Sequence, residues 1–184
     1  MANSNDNNVT QDLLSLLSNK DRDFLIRNNG DQVKVSTLVG KIVGLYFSSS
    51  RCGSCRHFTP NLVEVHEELS SKGDFEVVFI SSDRVDEEFD AYFVKMPWLA
   101  IPFSDFETLK CLKELFKVRG IPHLMILDGT GKVSSNQGVR IIQDYGVEGY
   151  PFTSKRINVL REEEEAMKKE QSLGSILVSN FQRN

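Results

Sequence analysis

Tyr46-Phe47-Ser48-Ser49-Ser50-Arg51-Cys52-Gly53-Ser54-Cys55-Arg56-His57-Phe58-Thr59-Pro60 joins an apolar stretch to an amphipathic one, with two cysteines at the seam. Upstream, Ile42-Val43-Gly44-Leu45-Tyr46-Phe47 is nearly all apolar and β-prone, which predicts a strand covered on both faces in the middle of an α/β sheet. Downstream, Phe58, Leu62, Val65 and Leu69 recur at helical spacing. A CxxC at this junction puts Cys52 at a helix N-terminus, where unpaired backbone N–H groups and the helix dipole favour a thiolate. Only the thiolate attacks a disulfide at a useful rate. Cys55, one turn further on, is expected to be more buried and near enough to close a small ring with Cys52. The pattern therefore predicts a cycle: Cys52 attacks a disulfide, a mixed disulfide forms, and Cys55 resolves it. Arg51, directly before the nucleophile, adds positive charge that should favour ionisation.

Outward from this stretch, strands and helices alternate. Phe75 to Ile80 and Leu124 to Leu127 read as two more buried strands, and Phe24 to Val39 as short strands around an Asn29-Gly30 turn. Phe89, Tyr92, Phe93 and Met96 form one helical stripe, and Phe106, Leu109, Leu112, Leu115 and Phe116 another; Leu13, Leu14, Leu16 and Leu17 suggest a short helix. Asp128-Gly129-Thr130-Gly131 is a turn into an antiparallel edge strand. Such alternation predicts an α/β fold with helices on both faces of the sheet. Past Pro151, Ser154 to Gln171 reads as an exposed charged helix, with Glu164 and Glu165 each four residues before Lys168 and Lys169. Ser175-Ile176-Leu177-Val178-Ser179-Asn180 echoes Ser15-Leu16-Leu17-Ser18-Asn19, with one residue inserted, and hints at a unit of an array.

Composition narrows the classes. With 184 residues, 40% hydrophobic and 26% charged, the chain fits one sizeable globular domain with extensions. A net charge of -4 offers no basic footprint for nucleic acid, and no apolar run reaches the roughly 20 residues that span a bilayer. Residues 1–10 are Asn-rich, without the basic start or apolar core of a signal peptide, and read as a disordered leader. Three cysteines, two of them close together, point to a reducing compartment and to catalysis or metal binding rather than a disulfide scaffold.

Other readings of the pair remain. Zinc would need partners, and only Cys111, His57, His66 and His123 are available, at spacings that suggest no site. A structural disulfide closing so small a loop gains little. His57 and His66 read as surface helix residues, and Cys111 as a half-buried packing residue on the edge of Leu115. Trp98 and the Met96 to Phe103 segment read as core packing, with partner binding as the other use. Pro60 should kink the helix after the pair, and Ile121-Pro122 precedes the third buried strand.

The order of strand, CxxC, Pro-containing helix and late Ile-Pro before a strand resembles the thioredoxin superfamily. Gly44-Leu45-Tyr46-Phe47-Ser48, Cys52-Gly53-Ser54-Cys55-Arg56-His57-Phe58-Thr59-Pro60 and Leu62-Val63-Glu64-Val65 resemble its tryparedoxin and nucleoredoxin branch. Lys95-Met96-Pro97-Trp98-Leu99-Ala100-Ile101-Pro102-Phe103, Phe116-Lys117-Val118-Arg119-Gly120-Ile121-Pro122 and the stretch from Tyr145 to Phe152 are similar to plant nucleoredoxins. The resemblance runs from Asp12 to nearly the end. It implies a thioredoxin fold: a central mixed β-sheet with helices on both faces, an N-terminal extension and a C-terminal linker helix. It divides the chain into a leader (1–10), a thioredoxin-like domain (11–153), a charged linker helix (154–172) and the start of a following thioredoxin-like unit (173–184).

Function follows by the same resemblance. It implies a protein-disulfide reductase with Cys52 as nucleophile and Cys55 as resolving thiol. Client segments would meet Arg51, Gly53, Ser54 and a cis junction at Ile121-Pro122. No cofactor is expected to bind directly, since no G-x-G-x-x-G follows a strand. Electrons would come from NADPH or NADH through a separate thioredoxin-reductase-type donor. The partners are disulfide-containing clients, with no nucleic acid and no membrane, in cytosol and nucleus. Two departures stand out. The family's usual Trp before the first cysteine and Pro before the second are Arg51 and Ser54 here, which favours a less strongly reducing module. They also open the alternative of a thioredoxin-fold interaction module with weak or no turnover. The buried Asp of ordinary thioredoxins is Tyr46 here, so the group that helps Cys55 lose its proton is not identified, Glu64 and Asp83 being the candidates.

Overall fold

The computed structural model describes residues 13–183; the leader expected over residues 1–10 lies outside them. Residues 13–17 form the described part of α1. There follow β1 (Phe24–Ile26), β2 (Gln32–Lys34), β3 (Ile42–Ser48), α2 (Gly53–Ser70), β4 (Phe75–Ser81) and α3 (Asp86–Phe93). The second half contains β5 (Leu99–Ala100), α4 (Phe106–Leu115), β6 (His123–Leu127), β7 (Val133–Ser135), α5 (Gly138–Tyr145) and α6 (Ser154–Phe181). One seven-stranded sheet runs in the order β2-β1-β5-β4-β3-β6-β7. β3 pairs parallel with β4 from Ile42↔Phe75 to Ser48↔Ser81, and antiparallel with β6 from Val43↔Leu127 to Phe47↔His123. The sheet is therefore mixed, as a thioredoxin fold requires.

The apolar runs became the central strands because both their faces are covered. Tyr46 stacks on Phe58 of α2, with ring centroids 5.8 Å apart and planes 10° from parallel. On the same face α5 comes down to backbone contact: a Cβ on Gly138 would lie 2.6 Å from the Leu124 carbonyl oxygen. Val43, Leu45 and Phe47 alternate to the other face and are fully buried in a core that also takes Leu109 and Leu112 of α4 and Leu13 and Leu17 of α1. Arg22 ties this N-terminal part down. Its guanidinium donates to Asp105, the N-cap of α4, at 2.8 Å, and to the carbonyls of Leu17 and Phe24.

Several expectations need correction. α6 does not stop near Gln171 but continues to Phe181. Gly174 is the lone breaker in that stretch, and one glycine costs only about 1 kcal/mol relative to alanine. Beyond Leu160 the helix is exposed throughout. Cys111 is exposed rather than half-buried, because the edge it shares with Leu115 faces solvent. His66 is not a surface residue. It lies on the sheet-facing side of α2 with Leu62 and Leu69, and its Nε2 is 2.9 Å from the Glu76 carboxylate. β5 and α5 went unread: one is two residues long, the other eight.

Candidate active site

β3 ends at Ser48 and α2 begins at Gly53, so the loop between them carries the cysteine pair to the edge of the sheet. Asp83, just past β4, shapes this loop. One of its oxygens accepts from the Ser49 hydroxyl, the Ser50 N–H and the Ser50 hydroxyl at 3.0, 2.8 and 2.7 Å, and the other from Ser81 at 3.1 Å. Asp83 is thus a clamp on the loop and not a proton acceptor for Cys55. Glu64, the other candidate, is exposed.

Cys52 is the N-cap of α2, and its sulfur accepts from the backbone N–H of Cys55 at 3.2 Å. The Ser54 hydroxyl lies 3.3 Å away. Partial burial alone would raise the Cys52 thiol, but hydrogen bonds from the Cys55 thiol, the Ser54 hydroxyl and the backbone of both residues outweigh it and bring it below the ordinary thiol range. Arg51 turns the other way: its guanidinium reaches across to Glu88 in the first turn of α3 and forms an ion pair there. Cys55 is buried. Burial first, and then its hydrogen bond to Cys52, push its thiol up to about 11.

The late Ile-Pro comes back to the same place. Ile121-Pro122 is cis, and Cys52 Sγ lies 3.7 Å from the Ile121 carbonyl oxygen. His123 follows, its imidazole edge on Phe47 and its pKa lowered by burial. A second cis bond, Tyr150-Pro151, occurs before α6. The pair, Ser54 and the Ile121-Pro122 junction are therefore together, whereas Arg51 is turned toward α3. Trp98 is fully buried between Tyr46 and His66, in the core and away from any docking surface. His57 is exposed, and among the described residues no three His, Cys, Asp or Glu side chains form a group that could hold a metal ion.

Behind Cys55 the structure shows what the sequence reading missed. Thr59 donates to the Cys55 carbonyl at 2.8 Å, and its oxygen lies 2.8 Å from the Tyr46 hydroxyl and 2.7 Å from the Tyr92 hydroxyl. Tyr92 is in turn 2.8 Å from the Ser48 hydroxyl. Four hydroxyls from β3, α2 and α3 thus occupy the space below the resolving thiol. Tyr46 in the place of a buried Asp was the one signal of this cluster in the sequence.

A thioredoxin-like family model matches residues 40–133, which hold the cysteine pair, the central strands and the cis-proline junction. The chain belongs to the thioredoxin-like family. Thioredoxin-like structures similar to it include tryparedoxin II from Crithidia fasciculata, 30% identical with a TM-score of 0.72 over 78% of this chain and 99% of that one. Tryparedoxin from Trypanosoma brucei is 38% identical, with a TM-score of 0.68 over 79% of this chain and 99% of that one. Probable nucleoredoxin 1 of Arabidopsis thaliana is 54% identical over 92% of this chain, which covers 29% of that protein. Human nucleoredoxin is 40% identical over 72% of this chain and 31% of its own length. The chain spans about a third of the curated relatives it matches. At the level of the family this is a thiol-disulfide oxidoreductase fold with its cysteine pair in place.

Proposed function

We propose that the chain is a redox unit that reduces disulfides in client proteins through a Cys52/Cys55 dithiol-disulfide cycle. The observation that carries this reading is a partly exposed Cys52 thiol at the N-cap of α2, its sulfur hydrogen-bonded by the backbone N–H of the buried Cys55. Cys52 attacks the client disulfide, and the client's first sulfur leaves and takes a proton. Cys55 then displaces the second. Client backbone beside the broken bond lies against Ile121 and Pro122, with Gly53 and Ser54 forming the floor and Arg51 at the rim. No cofactor is bound; NADPH or NADH supplies electrons through a separate reductase of the thioredoxin-reductase type. Cytosol and nucleus are the proposed locations. Insulin reduction tests the cycle: the wild type should turn over, Cys52→Ser should not, and Cys55→Ser should accumulate a mixed disulfide. A wild type as inactive as Cys52→Ser would instead favour a protein-interaction module.

We propose further that the last turns of α6 belong to a following thioredoxin-like unit. Leu16-Leu17-Ser18-Asn19 and Arg22 recur, without a gap, as Leu177-Val178-Ser179-Asn180 and Arg183. At the first occurrence Leu17 is buried and Arg22 holds Asp105; at the second, Leu177 and Val178 are exposed.

A further inference from the structure

The order of the strands gives the reactive thiol two different neighbours. β3 lies between β4 and β6, so the segment leaving β4 and the segment entering β6 flank the Cys52 loop from opposite sides. On the β6 side the contact is backbone, the Ile121 carbonyl oxygen lying 3.7 Å from Cys52 Sγ. On the β4 side it is charge. A cleft of about 390 Å³ opens there, with Ser50, Arg56, Glu87, Glu88, Tyr92 and Lys95 in its walls. Arg51 ends on one of these walls, at Glu88. Arg56 lies along the loop, its Nη1 donating to the Ser50 carbonyl at 3.0 Å.

Three cations thus meet two carboxylates beside the nucleophile. Among the described residues, Arg51 alone of the three has a carboxylate within ion-pair distance. That pair is easy to part. The Arg51 side chain is 66% exposed in it, and exposed ion pairs hold weakly against water. Glu88 does not depend on Arg51. It sits in the first turn of α3, where the helix dipole favours a carboxylate, and its other oxygen accepts from the Arg84 N–H at 3.4 Å.

We infer that Arg51, backed by Arg56 and Lys95, forms a subsite for an acidic side chain of the client beside its disulfide, with Arg51 exchanging Glu88 for the client carboxylate. The inference rests on the client cycle proposed above and gives its substrates a chemical class. A client segment laid against Ile121 and Pro122 spans Cys52 and presents its other edge to this cleft. An apolar side chain there would strip water from charges and return no hydrogen bond. A basic one would have to displace Arg51 from Glu88 while facing Arg56 and Lys95. An acidic one replaces Glu88 like for like, and a planar guanidinium takes it through two parallel N–H donors.

Three symmetric peptide disulfides, built from acetyl-Gly-Cys-Xaa-Gly-amide with Xaa as Glu, Gln or Lys, present three charges on one scaffold. In the full chain carrying Cys55→Ser and Cys111→Ser, Cys52 is the one remaining thiol. Its thiolate attacks the peptide disulfide, the Cys52–peptide bond forms, and the other half leaves as a thiolate and takes a proton from water. Mass analysis of the mixed disulfide gives each rate. The Glu peptide should react about three- to fivefold faster than the Gln peptide, as an exposed ion pair allows, and the Lys peptide more slowly than either. Raised salt should shrink the preference. Arg51→Gln should bring the Glu-to-Gln ratio close to one while the Gln peptide keeps its rate. Arg51→Lys should restore part of the ratio, and Glu88→Gln, which frees Arg51, should raise it. Equal rates for the Glu and Gln peptides in the parent chain would overturn the inference. So would an Arg51→Gln protein that slows all three peptides alike, since Arg51 would then act on the thiolate and not on the client. A Glu88→Gln protein whose ratio stays at or below the parent's would overturn it too. If the Gln peptide forms no mixed disulfide with Cys52 at all, it is the dithiol cycle that fails.

Discussion

Cys52 occupies a helix position where Ser, Thr, Asp or Asn is the ordinary choice, and it does the same work: its side chain accepts from the N–H three residues on. The cap and the nucleophile are one atom. Donors that end the helix therefore also hold negative charge on the sulfur, and no neighbouring cation is needed. In a Cys111→Ser protein, alkylation should show the consequence. Cys52 should react with an inflection below the ordinary thiol range, and Cys55 with one near 11. The signs differ for stability too. Cys52, depressed in the fold, contributes stability above the unfolded thiol value that is lost as pH falls through its folded one. Cys55, raised, contributes stability below the unfolded value that is lost as pH rises toward 11. Iodoacetamide labelling followed by peptide mass analysis across pH checks this, and equal reactivity of the two thiols at neutral pH would contradict it.

At the scale of elements, what sequence could reveal depended on how many faces an element buries. β3, β4 and β6 lie at the middle of the sheet, so their apolar runs are unbroken and were legible. The CxxC was legible for a related reason, since it falls at a strand-to-helix seam marked by a change of period. β5 is two residues inside a Pro-flanked segment and α5 is two turns long, too short for periodicity to speak. The hydroxyl cluster was hidden for another reason: Ser48 and Tyr92 are 44 positions apart, and nothing local links them. Nor could spacing show that Arg51 would turn to Glu88. α5 illustrates how tight the unread parts are. A methyl group at Gly138 would meet the Leu124 carbonyl and side chain at 2.6 to 2.9 Å, backbone against backbone. Gly138→Ala should therefore destabilise the fold by about 1–3 kcal/mol, the range for overpacking. Urea unfolding checks it, and a midpoint equal to the wild type's would show that α5 can shift freely.

At the scale of the molecule, α6 joins a packed body to an exposed end. Ile157 and Leu160 are buried, while Leu173, Leu177 and Phe181, one turn apart, are exposed. If those turns open a following unit, their amide hydrogens should exchange quickly in this chain. They should become protected in a longer protein that includes the downstream sequence, and unchanged exchange there would refute the assignment. The core offers a convenient contrast. Trp98 is the single tryptophan of the chain, fully enclosed, 6.0 Å from Tyr46 of β3 and 5.6 Å from His66 of α2. Fully enclosed in the core, it sits away from solvent. Its fluorescence is consequently a one-residue thermometer for the whole body: blue-shifted while strand and helix stay clasped around it, and red-shifted only once water reaches the centre.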